Sequence, residues 1–201
     1  DGASYILHLF EGLMKFDAAD DGESKIIEGQ AKKVDISEDK LTYTFHLRDD
    51  IKWSDGKDVE AKDFVYAWKR LVDPKTASDY QQFINCVLNA PEIVAGTKDI
   101  SELGVKAIDS KTFEVKLIAP AAYFLDMTAG AQLVPLREDV VEGNTEWTFQ
   151  PETLISNGAF VMKEWMHDDA IKMVKNDKYY DQKNVTVNEL TWKLMADQNA
   201  M

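Results

Sequence analysis

The side chains in this 201-residue chain that could carry chemistry are few: His8, His46 and His167, the adjacent acids Asp20-Asp21 and Asp168-Asp169, and a single cysteine, Cys86. Nucleophilic catalysis needs a base, an acid that orients it and a nucleophile within reach. Each histidine has a structural explanation instead. His8 lies beside an apolar helical stripe, His46 on the polar side of a strand and His167 at a hairpin tip. Two carboxylates that work on a glycosidic bond must flank it, whereas neighbouring residues on a turn point apart. The acidic run Asp17 to Glu23, DAADDGE, has neither calcium-loop spacing nor a terminal bidentate Glu, so it reads as a solvated turn. There is no G-x-S-x-G, no phosphate-cradling glycine loop and no H-E-x-x-H. No catalytic residue, metal ligand or cofactor is expected.

Charge and composition narrow the partners. Asp and Glu number 36 against 23 Lys and Arg, a net charge of −13, which repels a phosphate backbone and excludes nucleic acid. Arg48, Arg70 and Arg137 are the arginines, so bidentate anion clamps are scarce and the lysines read as solvated surface. A hydrophobic share of 45% with five Trp is enough for a core. One cysteine excludes an internal disulfide and a Cys-rich zinc site. No run approaches the roughly 20 apolar residues of a bilayer-crossing helix. The start shows no basic-then-apolar signal segment, so a mature or trimmed N-terminus is expected.

The elements that position these residues centre on Leu41 to Pro74. Leu41, Tyr43, Phe45 and Leu47 alternate with Thr42, Thr44 and His46, a strand with one buried face. Ser54-Asp55-Gly56-Lys57 is a turn. Ala61, Phe64, Val65, Trp68, Leu71 and Val72 then recur at helical steps, with Lys62, Asp63, Lys69 and Arg70 facing water, until Asp73-Pro74 stops the helix. Trp53, Phe64 and Trp68 read as core; Tyr66 falls off the stripe.

Around it, Tyr5 to Leu13 reads as a short helix and Val34 to Leu47 as a hairpin closed at Ser37 to Lys40. Thr76 to Asn85 has helical spacing, with Tyr80, Phe83 and Ile84 on one side. Pro91 to Gly96 is a helical turn, Val105 to Leu117 a second hairpin, Pro120 opens a short helix through Ala122 to Met127, and Arg137 to Glu142 is another. Gly143 to Pro151 reads as a crossover between domains. Phe160 to Val174 is a third hairpin, followed by a strand over Val187 to Leu194.

The run from Leu41 through Arg70, the segment DPKTASDY at Asp73 to Tyr80, Leu9-Phe10-Glu11-Gly12-Leu13, Leu103 to Asp109 and Asn157-Gly158-Ala159-Phe160 together resemble the oligopeptide-binding branch of the extracellular solute-binding proteins that serve ABC importers, family five. The DP-x-TAS-x-Y piece discriminates best within it. The resemblance implies a mixed α/β (α+β) chain of the type II periplasmic-binding-protein kind. Residues 1–10 would be a lead-in from the hinge lobe, 11–150 the accessory lobe and 151–201 part of the hinge lobe, with the second clamping lobe lying outside this piece. It implies capture of an oligopeptide outside the cell, as a periplasmic protein or surface lipoprotein, and delivery to an ABC permease. Tyr80 is the ligand-binding residue it assigns, a phenol walling the peptide; the plain alternative is a Tyr packed on Phe83 with its hydroxyl in water. Dipeptides, nickel complexes or sugars are alternative ligands within the family, and a hydrolase or an adhesion module the alternatives outside it. The strands at Phe160 to Met166 and Val187 to Leu194 are expected to pair with each other or to associate with another copy of the chain.

Overall fold

The computed structural model describes residues 2–18 and 24–194. They fall into two compact units, one gathering the described residues of 1–10, 50–59 and 138–201, the other those of 11–49 and 60–137. These are called the first and second unit. The division departs from the expected run of 11–150. Residues 50–59 belong to the first unit because the Trp53 turn is tied there: Ser54 N–H donates to Ser156 O at 2.8 Å and Lys57 pairs with Asp139 at 3.0 Å.

The second unit is built on a four-stranded antiparallel sheet of order β3-β4-β6-β5, formed by β3 (Ala31–Ile36), β4 (Thr42–Leu47), β5 (Val105–Asp109) and β6 (Thr112–Lys116). A separate ribbon pairs β1 (Met14–Ala18) with β2 (Ser24–Glu28), two strands that the sequence reading did not find; residues 19–23, with Asp20-Asp21, lie outside the described residues. The alternation in β4 places Tyr43, Phe45 and Leu47 inward, all buried. Register sets Phe45 opposite Phe113 and Tyr43 opposite Val115, so one apolar face continues across the pair.

Helix α2 (Ala61–Val72) has the predicted bounds and rests on β5 and β6. It reaches β4 through Phe113, whose ring lies 5.2 Å from Trp68, 5.7 Å from Phe64 and 6.3 Å from Phe45. Trp68 is fully enclosed and its indole N–H donates to Leu133 O at 3.1 Å, so burial leaves no polar group unpaired there. Asp63, expected in water, is 3% exposed. Its carboxylate accepts the N–H of Glu60 at 2.9 Å, which satisfies a donor at the helix start, so a capping duty overrides the polar pattern. Short helices α3 (Ala90–Val94) and α4 (Phe124–Met127) complete this unit, α4 beginning at Phe124 and not at Pro120 as expected.

Gly12 explains part of the Leu9 to Leu13 motif. A Cβ there would collide with the Thr128 carbonyl, and the segment is stitched instead by Gln30 N–H to Gly12 O at 3.0 Å and Ala31 N–H to Leu13 O at 3.0 Å. Helical geometry therefore ends earlier than the spacing suggests.

In the first unit α1 (Gly2–Leu9) packs on β7 (Phe160–Met166), and α5 spans Glu138–Val141. Gly158 admits the end of α1, since a Cβ would meet Leu9 C at 2.6 Å, and its N–H donates to Leu9 O at 2.8 Å. β8 (Ala170–Lys175) stands between β7 and β9 (Glu189–Lys193), both antiparallel to it. The expected direct pairing of the β7 and β9 segments is thus replaced: each bonds to β8, because the hairpin at Asp168 sets β8 beside β7 and Ala170 to Val174 offers its other edge to β9.

Two predictions follow from this packing. Trp68→Ala should lower unfolding free energy by about 3–5 kcal/mol, read as a shifted urea midpoint; an unchanged midpoint contradicts the shared core. His8 lies edge-on to Phe160 at 6.0 Å and near Trp192 at 5.9 Å, and burial pushes its imidazole pKa below the ordinary 6.5. The unfolded chain then binds the proton more readily, so the stabilisation from neutral His8 is present above pH 6.5 and is lost as pH falls through and below it. His8→Phe should reduce the fall in urea midpoint between neutral and mildly acidic pH; the same fall in the variant contradicts this.

Candidate functional site

The segment after α2 turns without forming the predicted helix. Asp73 adopts an extended conformation before Pro74, and its carboxylate accepts the Lys75 N–H at 2.9 Å while its carbonyl accepts Thr76 N–H at 2.9 Å. Ala77 then takes φ +50°, a left-handed conformation that breaks any helical run at a cost of about 1–2 kcal/mol. Ser78 Oγ accepts the Tyr80 N–H at 3.1 Å, a local bond that competes with helical pairing. Beyond it the chain steps through three-residue turns, Phe83 N–H to Tyr80 O at 2.8 Å and Val87 N–H to Ile84 O at 2.9 Å. Periodicity of Tyr80, Phe83 and Ile84 was therefore turn spacing, close enough to helical spacing to mimic it.

These turns sort the side chains. Ile84 and Val87 are fully buried, and Val87 bridges to Leu117 beside β6. Phe83 is half-buried. Tyr80 is 58% exposed, its ring kept out of the core by an anchored loop. A phenol so held offers apolar area and one hydroxyl that both donates and accepts, which suits contact with a peptide of arbitrary side chains. Tyr66 on α2 is half-buried. Tyr123, which precedes α4, is as exposed as Tyr80 and was missed; the signal was Phe124 filling the core position beside it.

The reactive types have separate partners. His46 Nε2 lies 2.8 Å from Asp35 Oδ2 on the sheet's exposed face, and the Lys33 ammonium, then His46, holds the Asp35 carboxyl below its usual range. His167 stacks on Trp165 at 4.4 Å. Asp169 binds Lys193 at 3.0 Å, while Asp168 takes the left-handed turn position. Burial pushes the Cys86 thiol pKa up, which disfavours a reactive thiolate. Among the described residues no three His, Cys, Asp or Glu side chains gather to hold a metal ion, and no helix is long and apolar enough to cross a membrane.

Comparison with known proteins adds a separate line of evidence. The profile of the bacterial extracellular solute-binding proteins, family 5 Middle, matches residues 25–201. The oligopeptide-binding protein OppA of Bacillus subtilis is 37% identical over 195 residues, 96% of this chain and 35% of that protein. A probable deoxycholate-binding periplasmic protein, YgiS, of Escherichia coli is 38% identical over 192 residues, 94% of this chain and 35% of that protein. The solved substrate-binding domain of an oligopeptide ABC transporter from Bacillus anthracis superposes with TM-score 0.91 at 40% identity, covering 96% of this chain and 37% of that one. This chain therefore spans about a third of the length of the relatives that it matches, and the shared architecture is that of type II periplasmic-binding proteins.

The loop geometry separates anchoring from display. Ile84→Ala should cost about 2–5 kcal/mol as a fully buried aliphatic, whereas Tyr80→Ala should change stability by less than about 0.5 kcal/mol. Urea unfolding of the two variants checks this; a large loss on Tyr80→Ala would place its ring in the core.

Proposed function

The chain belongs to family 5 of the bacterial extracellular solute-binding proteins, and on that premise we propose that it serves to capture oligopeptides outside the cytoplasm for delivery to an ABC permease in the membrane. The protein binds and releases its ligand without transforming it. The second unit is the accessory lobe and the first unit part of the hinge lobe. It works as a periplasmic protein or a surface lipoprotein, and its peptide is enclosed against a further lobe supplied by a longer chain. Closure about the ligand follows from tighter binding to the closed arrangement, which shifts the population toward it.

The observation that carries the reading is Tyr80, 58% exposed on the DP-x-TAS-x-Y loop, with Ile84 fully buried four residues on. A peptide main chain presents the same donors and acceptors whatever its side chains, so a wall that offers a ring face and one hydroxyl tolerates many sequences. Affinity comes mostly from enclosure, because each half of a cleft alone leaves the ligand largely hydrated.

A second reading comes from YgiS, whose name gives a bile acid as the ligand. The two separate in one experiment. In the full-length protein, a mixed tri- to pentapeptide library should give saturable heat at micromolar concentration, and Tyr80→Ala should weaken it by about tenfold, the loss of one aromatic contact. The 201-residue chain should show no saturable heat in that range. Binding of deoxycholate with no response to peptides would establish the second reading, and unchanged peptide affinity in Tyr80→Ala would remove Tyr80 from the site.

A further inference from the structure

Within the second unit, the turn that displays Tyr80 meets the segment that follows α4. Phe83 belongs to that turn, since its N–H donates to Tyr80 O at 2.8 Å, and its ring reaches Gly130. Gly130 has φ −77° and ψ 154°, extended values that any residue adopts, so its backbone conformation does not require glycine. The missing side chain leaves space instead. A Cβ there would stand 3.1 Å from Met127 O, 3.1 Å from Gln132 Oε1 and 3.7 Å from Phe83 Cζ. The carbonyl is crowding within the local turn, whereas the amide and the ring border an open gap.

The amide that borders the gap is held on a fixed frame. Gly130 N–H donates to Met127 O at 2.9 Å and Leu133 N–H to Gly130 O at 3.2 Å, around a single 3-10 turn, Ala131–Leu133. Leu133 is fully buried and its carbonyl takes the Trp68 indole N–H, which ties this turn to the aromatic core. Gln132 itself is half-buried, and among the described residues no group hydrogen-bonds its side chain. A carboxamide carries one acceptor and two donors. Here they stand ready beside the ring of Phe83, on the neighbouring segment to Tyr80.

We propose that Gln132 is a further peptide-contacting residue, whose Oε1 accepts a ligand main-chain N–H across the space left open at Gly130. The inference rests on the proposed capture of oligopeptides and adds to it a group that reads the ligand's backbone. A carboxamide reproduces the donor and acceptor of a peptide bond, so it pairs with an extended ligand whatever its side chains. A bare glycine lets another backbone approach closely, where a side chain at position 130 would hold it off. Tyr80 supplies ring area and Gln132 a directed polar contact, so their losses differ in kind.

The test is calorimetric titration of the full-length protein with Ala-Val-Ala-Val and with its three derivatives N-methylated at residue 2, 3 or 4. Each methyl removes one main-chain donor. Gln132→Leu should weaken binding of the parent peptide by about tenfold, the effect of leaving one enclosed donor unpaired, at an unchanged melting temperature. One methyl derivative should bind the wild type about tenfold more weakly than the parent peptide, and that penalty should fall to about twofold in Gln132→Leu, because the donor it lacks is the one that Gln132 accepts. Tyr80→Ala should leave the same penalty in place. A purely structural role for Gln132 produces no such coupling. If Gln132→Leu melts early, Gln132→Met, which keeps the unbranched length, replaces it with the same expected result. Unchanged affinity in the Gln132 variant, or methyl penalties equal in wild type and variant at all three positions, overturns the inference and leaves the proposed function standing. A wild type that binds neither this peptide nor the mixed library overturns the proposed function, and the inference with it.

Discussion

The second unit depends on one ring. Phe113 is fully buried on β6, opposite Phe45 in register, and makes ring contacts to both Phe64 and Trp68. Sheet and helix are each amphipathic and neither is stable alone, so their apolar faces must be removed from water against one another. Phe113 does this at the point where β4, β6 and α2 converge, and Phe124 closes the cluster from the far side at 6.3 Å from Trp68. Because α2 is fixed in this way, its C-terminus at Val72 fixes where the DPKTASDY segment leaves the sheet. The exposure of Tyr80 is thus a consequence of aromatic packing elsewhere in the unit, transmitted through a helix end and the turn at Asp73.

That loop is ordered by local bonds more than by burial. Asp73, Ser78 and the carbonyls of Tyr80 and Ile84 each bond within a few residues, and Ile84 and Val87 supply the apolar anchor. A helix through the same stretch would satisfy the backbone as well, yet it would commit Tyr80, Phe83 and Ile84 to one face and bury them together. Turns separate them. Ile84 goes inward, Phe83 sits at the boundary and Tyr80 is displayed. The left-handed Ala77 is the backbone cost of that separation.

The parts of the fold legible in the sequence were those whose period was long and unmixed. The period-two run in β4 and the twelve-residue stripe of α2 were both readable because burial on one face alone decides the residue type at each position. The β1–β2 ribbon was not, since MKFDA and SKIIE are five residues each and Phe16, which would mark a buried face, is half exposed. Asp63 was misjudged because a capping acid looks like any surface acid until its hydrogen bond is known. The exposure of Tyr80 was expected only through the resemblance of its motif; its own spacing suggested a helix.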